Sequence, residues 1–278
     1  MDSNRRGKEE KRFVPTYRKK ARPSAPGKLL RNMPVEVVDV LIGQARISYP
    51  MITFALALQA YGGLRESEAM NVRQAKSPLS STPGIILRRT GTSLSYFGVD
   101  LTREYSLRGD HVSVGKIKRN ANDFSPIYPP NLQFVGQLYG EHLRLLECTQ
   151  CDPNYLPMFV NRDGNAMTAQ SYVYQFKCLI GKIKPLLISH PDPRIAEFGH
   201  LLDTHSFGPH ALRHYFTVKM VLDGADVATV MSYRGDRSPE SALAYLAGKN
   251  LFRKELDETN SIRMEGLQSI GSYVYSRG

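Results

Sequence analysis

The sequence predicts an α+β fold, mainly α-helical, with a small antiparallel β-hairpin or sheet on one edge. Three observations point there. Apolar residues recur at helical spacing in several long segments, and Pro and Gly separate those segments. A single stretch, residues 76–114, breaks the pattern with Ser, Gly, Thr and short strand-like pieces. The chain has 278 residues, 41% hydrophobic and 23% charged, which is enough to bury a sizeable core.

The elements follow in order. Pro34 suits a helix's first turn, and Val35, Val38, Leu41 and Ile42 then recur at helical spacing. A second helix over 50–61 is apolar nearly all round, so it belongs in the core, and Gly62 and Gly63 end it. A further helix is expected over 65–72. The pieces GIILRR and HVSVG suggest a hairpin that ends near Pro126. Helices resume over 130–147 and 168–183. Residues 190–209, with Pro191, Pro193, Gly199 and Gly208, read as a loop. Three helices close the chain. One runs from Pro209 and stops at Gly224, one is capped by Asp226 and stops at Gly235, and one is capped by Ser238 with Pro239 behind it.

Charge sets the expected partner. Residues 1–31 hold eleven Lys/Arg against three Asp/Glu, a net of +8, while the whole chain carries +11. Residues 1–27 combine this charge with Pro, Gly and Ser and few core candidates, so they read as a basic, disordered arm. Such an arm suits nucleic acid, because each phosphate it neutralises releases counterions. No apolar run approaches the roughly 18 residues of a membrane span. The charged N-terminus has no signal-peptide core, so the expected location is the cytoplasm. Three cysteines make no disulfide framework. The lone CxxC of Cys148 and Cys151 lacks the partners of a zinc site.

Two segments carry chemistry. In GPHALRHY, Pro209 opens a helix, so His210 and Arg213 lie three apart on one face with His214 beside them. An imidazole and a guanidinium near a helix N-terminus form an anion site. In YGGLRESEAM, Arg65 follows a Gly-Gly turn at the end of the buried helix, with Glu68 as an i,i+3 partner. Each segment alone is also compatible with ordinary paired or solvated charges.

Taken together, and in order, these residues resemble the tyrosine recombinase (phage integrase) family. Its first box reads Gly, apolar, Arg, any, Ser, Glu, matched by Gly63, Leu64, Arg65, Glu66, Ser67 and Glu68. Its second reads His-x-Leu-Arg-His, matched by His210, Ala211, Leu212, Arg213 and His214. A Gly-x-Asp break follows at Gly224, Ala225 and Asp226, and Tyr245 lies ten residues after Gly235. LPMFVNRDGNAMTAQSYVYQF is similar to the family's strand and turn leading into a helix.

The resemblance spans residues 28–250 and implies the family's catalytic-domain fold and DNA strand transfer. It also assigns roles. Arg65 and Arg213 brace the non-bridging phosphate oxygens. Tyr245 is the nucleophile, and His210 handles its proton. A Lys of the hairpin segment GKIKR, either Lys118 or Lys116, protonates the leaving 5′-oxygen. A 3′-phosphotyrosine conserves the bond energy, so the resemblance calls for no cofactor and no metal. The partners it implies are double-stranded DNA, further copies in a tetramer on paired sites, and a partner recombinase or accessory DNA-bending protein.

Three departures stand out. The family's His or Trp position is Asp236, a carboxylate that orients Arg234 or Arg237 or else marks reduced activity. The basic arm stands where the family carries a helical core-binding domain. The stretches before the Lys segment and before His210 are longer than usual. Residues 251–278 form a tail with spaced apolar positions, which either packs on its own domain or passes to a neighbouring subunit.

Overall fold

The computed structural model describes residues 33–79, 82–101 and 124–236. The architecture is mainly helical with one small antiparallel sheet, as the sequence predicts. Lys116, Lys118, Arg237, Tyr245, the basic arm, the HVSVG piece, the helix expected at Ser238 and the C-terminal tail lie outside the described residues.

Helix α1 (Val35–Ser48) buries Val37, Val38, Leu41, Ile42 and Ala45, one stripe of an amphipathic helix. Helix α2 (Pro50–Gly62) starts with Pro50 at its first turn and is buried on every side from Ile52 onward. It is the central element, and α1, α4 (Leu132–Glu147) and α7 (His210–Leu222) pack around it. Helix α5 (Ala169–Ile188) lies against α1 and against α6 (Pro193–Thr204). Phe54 sits within an aromatic cluster of Phe97, Tyr139, His142 and Phe159 that joins α2, the sheet and α4. A second, smaller core of Phe216, Met220, Val221 and Val230 joins α7 to α8 (Val227–Arg234).

The sheet has the order β1-β2-β3 and is antiparallel throughout. Strands β1 (Ile85–Thr90) and β2 (Ser93–Val99) form a hairpin around Gly91, whose φ of 62° is the left-handed value a tight turn requires. The two-residue β3 (Ser125–Pro126) pairs with the end of β2, Val99 opposite Ser125. The described residues that flank positions 102–123 lie at one end of this strand pair, where Val99 faces Ser125. That end is anchored, because buried Asp100 is ion-paired with Arg73 and accepts a hydrogen bond from Thr82 Oγ1 at 2.9 Å.

Two expectations need correction. Residues 193–204, read as loop, are helix α6. Asp192 caps it through Arg194 N at 2.9 Å, Pro193 occupies the first turn, and Ile195, Phe198 and Gly199 are buried at helical spacing. Proline there starts a helix instead of breaking one. The helix expected over 65–72 is only α3 (Glu66–Ala69). The chain leaves it because Arg73 and Gln74 are tied elsewhere, Gln74 N to Leu156 O at 2.8 Å and Arg73 in a bridge with Pro157. The helices expected from Pro209 and from Asp226 behave as the sequence predicts. Asp226 accepts from Thr229 N at 2.7 Å to start α8, and Gly235 ends it at φ 63°.

Candidate active site

The site is built where α2 ends. Gly63 caps that helix at φ 64°, and a Cβ on it would lie 2.4 Å from the Phe216 ring. Both the dihedral and the close packing therefore require glycine. The turn aims the Gly63 carbonyl at α7, where it accepts a hydrogen bond from Arg213 Nη1. Two residues on, Arg65 opens α3. Its backbone N–H and its Nη1 donate to the two oxygens of Glu68, each at 2.8 Å. Glu68 is fully buried, so the Arg65–Glu68 pair is a fixed part of the helix start.

Asp236 joins this pair to α7 and α8. Its Oδ1 accepts from Arg65 Nη2 at 3.1 Å and from Arg213 Nη2 at 2.7 Å, and its Oδ2 accepts from Arg234 Nε at 2.5 Å. Arg213 Nη2 also donates to the Arg234 carbonyl at 3.0 Å. Arg234 Nη1 donates to Thr217 Oγ1 at 2.6 Å, and Thr217 in turn donates to the Arg213 carbonyl at 3.0 Å. Three guanidinium groups and two carboxylates thus form one network. The Asp236 backbone is held in place, because its N–H donates to Met231 O at 3.2 Å across the glycine that caps α8.

Burial grades the network. The Arg213 side chain is 2% exposed, whereas Arg65 is 23% exposed and marks the face open to solvent. Burial, reinforced by repulsion from Arg65 and Arg234, pushes the Arg213 guanidinium down to about 9 against the pull of Glu68 and Asp236. It remains charged at neutral pH. His210, the first residue of α7, is solvent-exposed as a residue. Its imidazole lies below its ordinary value, through desolvation first and then the three arginines, while Glu66 opposes them. A neutral, proton-accepting imidazole beside a cluster of cations is the chemical result.

The structure therefore brings Arg65, Arg213 and Asp236 together and places His210 at the start of the helix that carries Arg213. Asp236 binds Arg234, one of the two arginines named for it in the sequence, and the same carboxylate binds Arg65 and Arg213 as well. Sequence reading gave Glu68 only a local pairing, yet it closes the network from below, 4.0 Å from Arg213 Nη1. It missed Thr217 and Glu66, whose buried Oε2 has no hydrogen-bond partner. Among the described residues, no group of three or more His, Cys, Asp or Glu is placed to hold a metal ion. No helix among them is long and apolar enough to cross a membrane.

No family model matches the chain, and no curated protein matches it. Similar solved structures do exist. XerA recombinase aligns at a TM-score of 0.44 and 16% identity, over 81% of this chain and 61% of its own. The Tn1549 transposon integrase in complex with transposon right end DNA aligns at 0.49 and 18%, over 81% and 65%. The XerH site-specific recombinase bound to its difH substrate, a pre-cleavage complex, aligns at 0.45 and 17%, over 78% and 50%. The chain spans between half and two thirds of the length of these proteins.

Proposed function

We propose that the chain is a DNA breaking-and-rejoining enzyme of the tyrosine recombinase type. The observation that carries this reading is the convergence of Arg65 and Arg213, 148 residues apart in sequence, on one carboxylate oxygen. Two fixed guanidinium forks on one oxygen are what a phosphodiester needs as negative charge builds on its non-bridging oxygens. The sequence boxes that resemble the family supply the rest. The Tyr245 phenol, with an ordinary pKa near 10, gives up its proton toward His210 and attacks the phosphorus. A 3′-phosphotyrosine forms, the bond to the 5′-oxygen breaks, and Lys116 or Lys118 protonates the leaving oxygen. The reverse sequence, on a different 5′-hydroxyl, rejoins the strand.

Double-stranded DNA is the proposed partner, with residues 1–27 as a phosphate-binding arm. Residues 28–250 are the proposed catalytic unit, acting as a tetramer on paired sites. Residues 251–278 are proposed to pack on that unit or on a neighbour's.

Alanine at either arginine tests the reading. On nicked DNA, Arg65→Ala and Arg213→Ala each lower cleavage by at least ~100-fold, the scale of a lost transition-state donor, with a much smaller loss of DNA affinity. Arg213→Ala also takes its donor from the Gly63 and Arg234 carbonyls and one of three arginine donors from Asp236, so melting temperatures are measured alongside, and Arg213→Lys keeps the charge. Normal cleavage by either alanine variant rejects the assignment.

One observation favours a second reading, a DNA-binding assembly subunit derived from such an enzyme. Asp236 already occupies donors of both arginines. A subunit of that kind binds DNA and forms no covalent adduct.

A further inference from the structure

We infer that the Asp236 carboxylate is an internal occupant of the oxyanion seat, and that phosphate enters by exchanging with it. The identity of the incoming anion as a DNA phosphodiester rests on the function proposed above. The exchange itself rests on geometry alone.

Asp236 presents two oxygens to three arginines from three separate segments. Oδ1 bridges Arg65 and Arg213, and Oδ2 takes Arg234 Nε. A tetrahedral oxyanion offers the same arrangement, one oxygen shared by two forks and a second on another. Both hydrogens of Arg213 Nη2 are taken, so an anion that binds this nitrogen must displace one of its acceptors. Arg213 donates from Nη1 to the Gly63 carbonyl, and from Nη2 to the Arg234 carbonyl and to Asp236. Two of these acceptors are backbone atoms held by the cap of α2 and the end of α8. Asp236 Oδ1 is the side-chain acceptor, and rotation of its side chain removes it without unfolding a helix. With Arg213 almost wholly enclosed, a phosphate oxygen reaches it at the position that Oδ1 now fills.

Charge points the same way. Three guanidinium groups face two carboxylates, Glu68 and Asp236, a net of +1. Glu68 is buried beneath Arg65 and holds its backbone N–H, so it is fixed. Asp236 sits at the end of α8, one residue beyond the capping glycine. While its carboxylate is seated, the arginines are compensated and the site is folded without DNA. When a phosphodiester replaces it, the arginines keep an anionic partner, and the displaced carboxylate is repelled from the phosphate. The apparent affinity for an oxyanion is reduced by the fraction of molecules in which Asp236 is seated.

The test is calorimetric titration of inorganic phosphate into the full chain and into Asp236→Asn, which keeps the side chain's size and removes its charge. We expect the variant to bind phosphate at least roughly ten-fold more tightly, and adding Arg65→Ala to abolish that gain. Equal affinities, or a gain that survives Arg65→Ala, overturn the inference. A second measurement needs no variant and so does not depend on the variant folding: a crystal structure of the unaltered chain at saturating phosphate. Phosphate oxygens on Arg65 and Arg213 with Asp236 turned away support the exchange. A seat without phosphate, or one with Asp236 still bridging both arginines, overturns it. Adduct formation on nicked DNA is scored separately. Exchange without an adduct keeps this inference and rejects the proposed reaction, and an adduct without exchange does the reverse.

Discussion

His210 shows how much a single environment changes a residue whose type was legible from the start. The His-x-x-Arg spacing placed it on the face of Arg213, and a helix beginning at Pro209 was readable from the proline. Its protonation state was not readable, because it depends on Arg65 and Arg234, which arrive from distant segments. Desolvation and those arginines lower its proton affinity, so it stays neutral to lower pH than a free imidazole. If neutral His210 accepts the phenol proton, cleavage holds as pH falls through about 6.5, the ordinary imidazole value, and declines only below it. A pH–rate profile on nicked DNA with the acid limb at or above that value contradicts the assignment. Asp236 was likewise legible as a departure. That it holds three arginines was not, since two of its partners are distant in sequence: Arg65, 171 positions away, and Arg213, 23 positions away.

Among the elements, the Gly62–Gly63 cap has the largest influence on the site. It stops α2, turns the chain into Arg65 and supplies the carbonyl that holds Arg213. Alanine at 63 meets Phe216 at 2.4 Å in a left-handed backbone conformation. We expect Gly63→Ala to cost about 1–3 kcal/mol in denaturant unfolding and to lower cleavage, because Phe216 and the Arg213 carbonyl contact move together. Wild-type stability in that variant contradicts this account of the turn. Helices α1, α4 and α5 were legible from apolar periodicity, and α2 from a continuous apolar run ended by Gly62 and Gly63. Helix α6 is hidden in the sequence because Pro191, Pro193 and Gly199 read as breakers, although Asp192 before Pro193 and Ile195 and Phe198 after it carry a helix-start pattern. GIILRR was legible as a strand, but its partner is Ser93–Val99, which sequence reading did not name, and HVSVG lies outside the described residues. β1 shows no alternation, with Leu87, Arg88, Arg89 and Thr90 all exposed.

The whole chain carries its excess charge unevenly, and that supports a distinct role for the arm. Residues 1–27 contain nine Lys/Arg and three acids. If four to six of those bases touch phosphates, deleting the arm flattens the slope of log K against log salt by roughly 4 to 5 units on duplex DNA. An unchanged slope shows a solubilising tail. Retained cleavage at high DNA concentration with a lost slope shows that the arm binds without entering the chemistry.

Covalent trapping on nicked DNA carrying candidate flanking sequence tests the central claim most directly. The unaltered chain is expected to form a protein–DNA adduct that migrates as one species on a denaturing gel, and EDTA leaves it unchanged. Tyr245→Phe is expected to bind the same DNA and form none. An adduct that persists in Tyr245→Phe contradicts the nucleophile, and no adduct from the unaltered chain on any DNA it binds contradicts the enzyme.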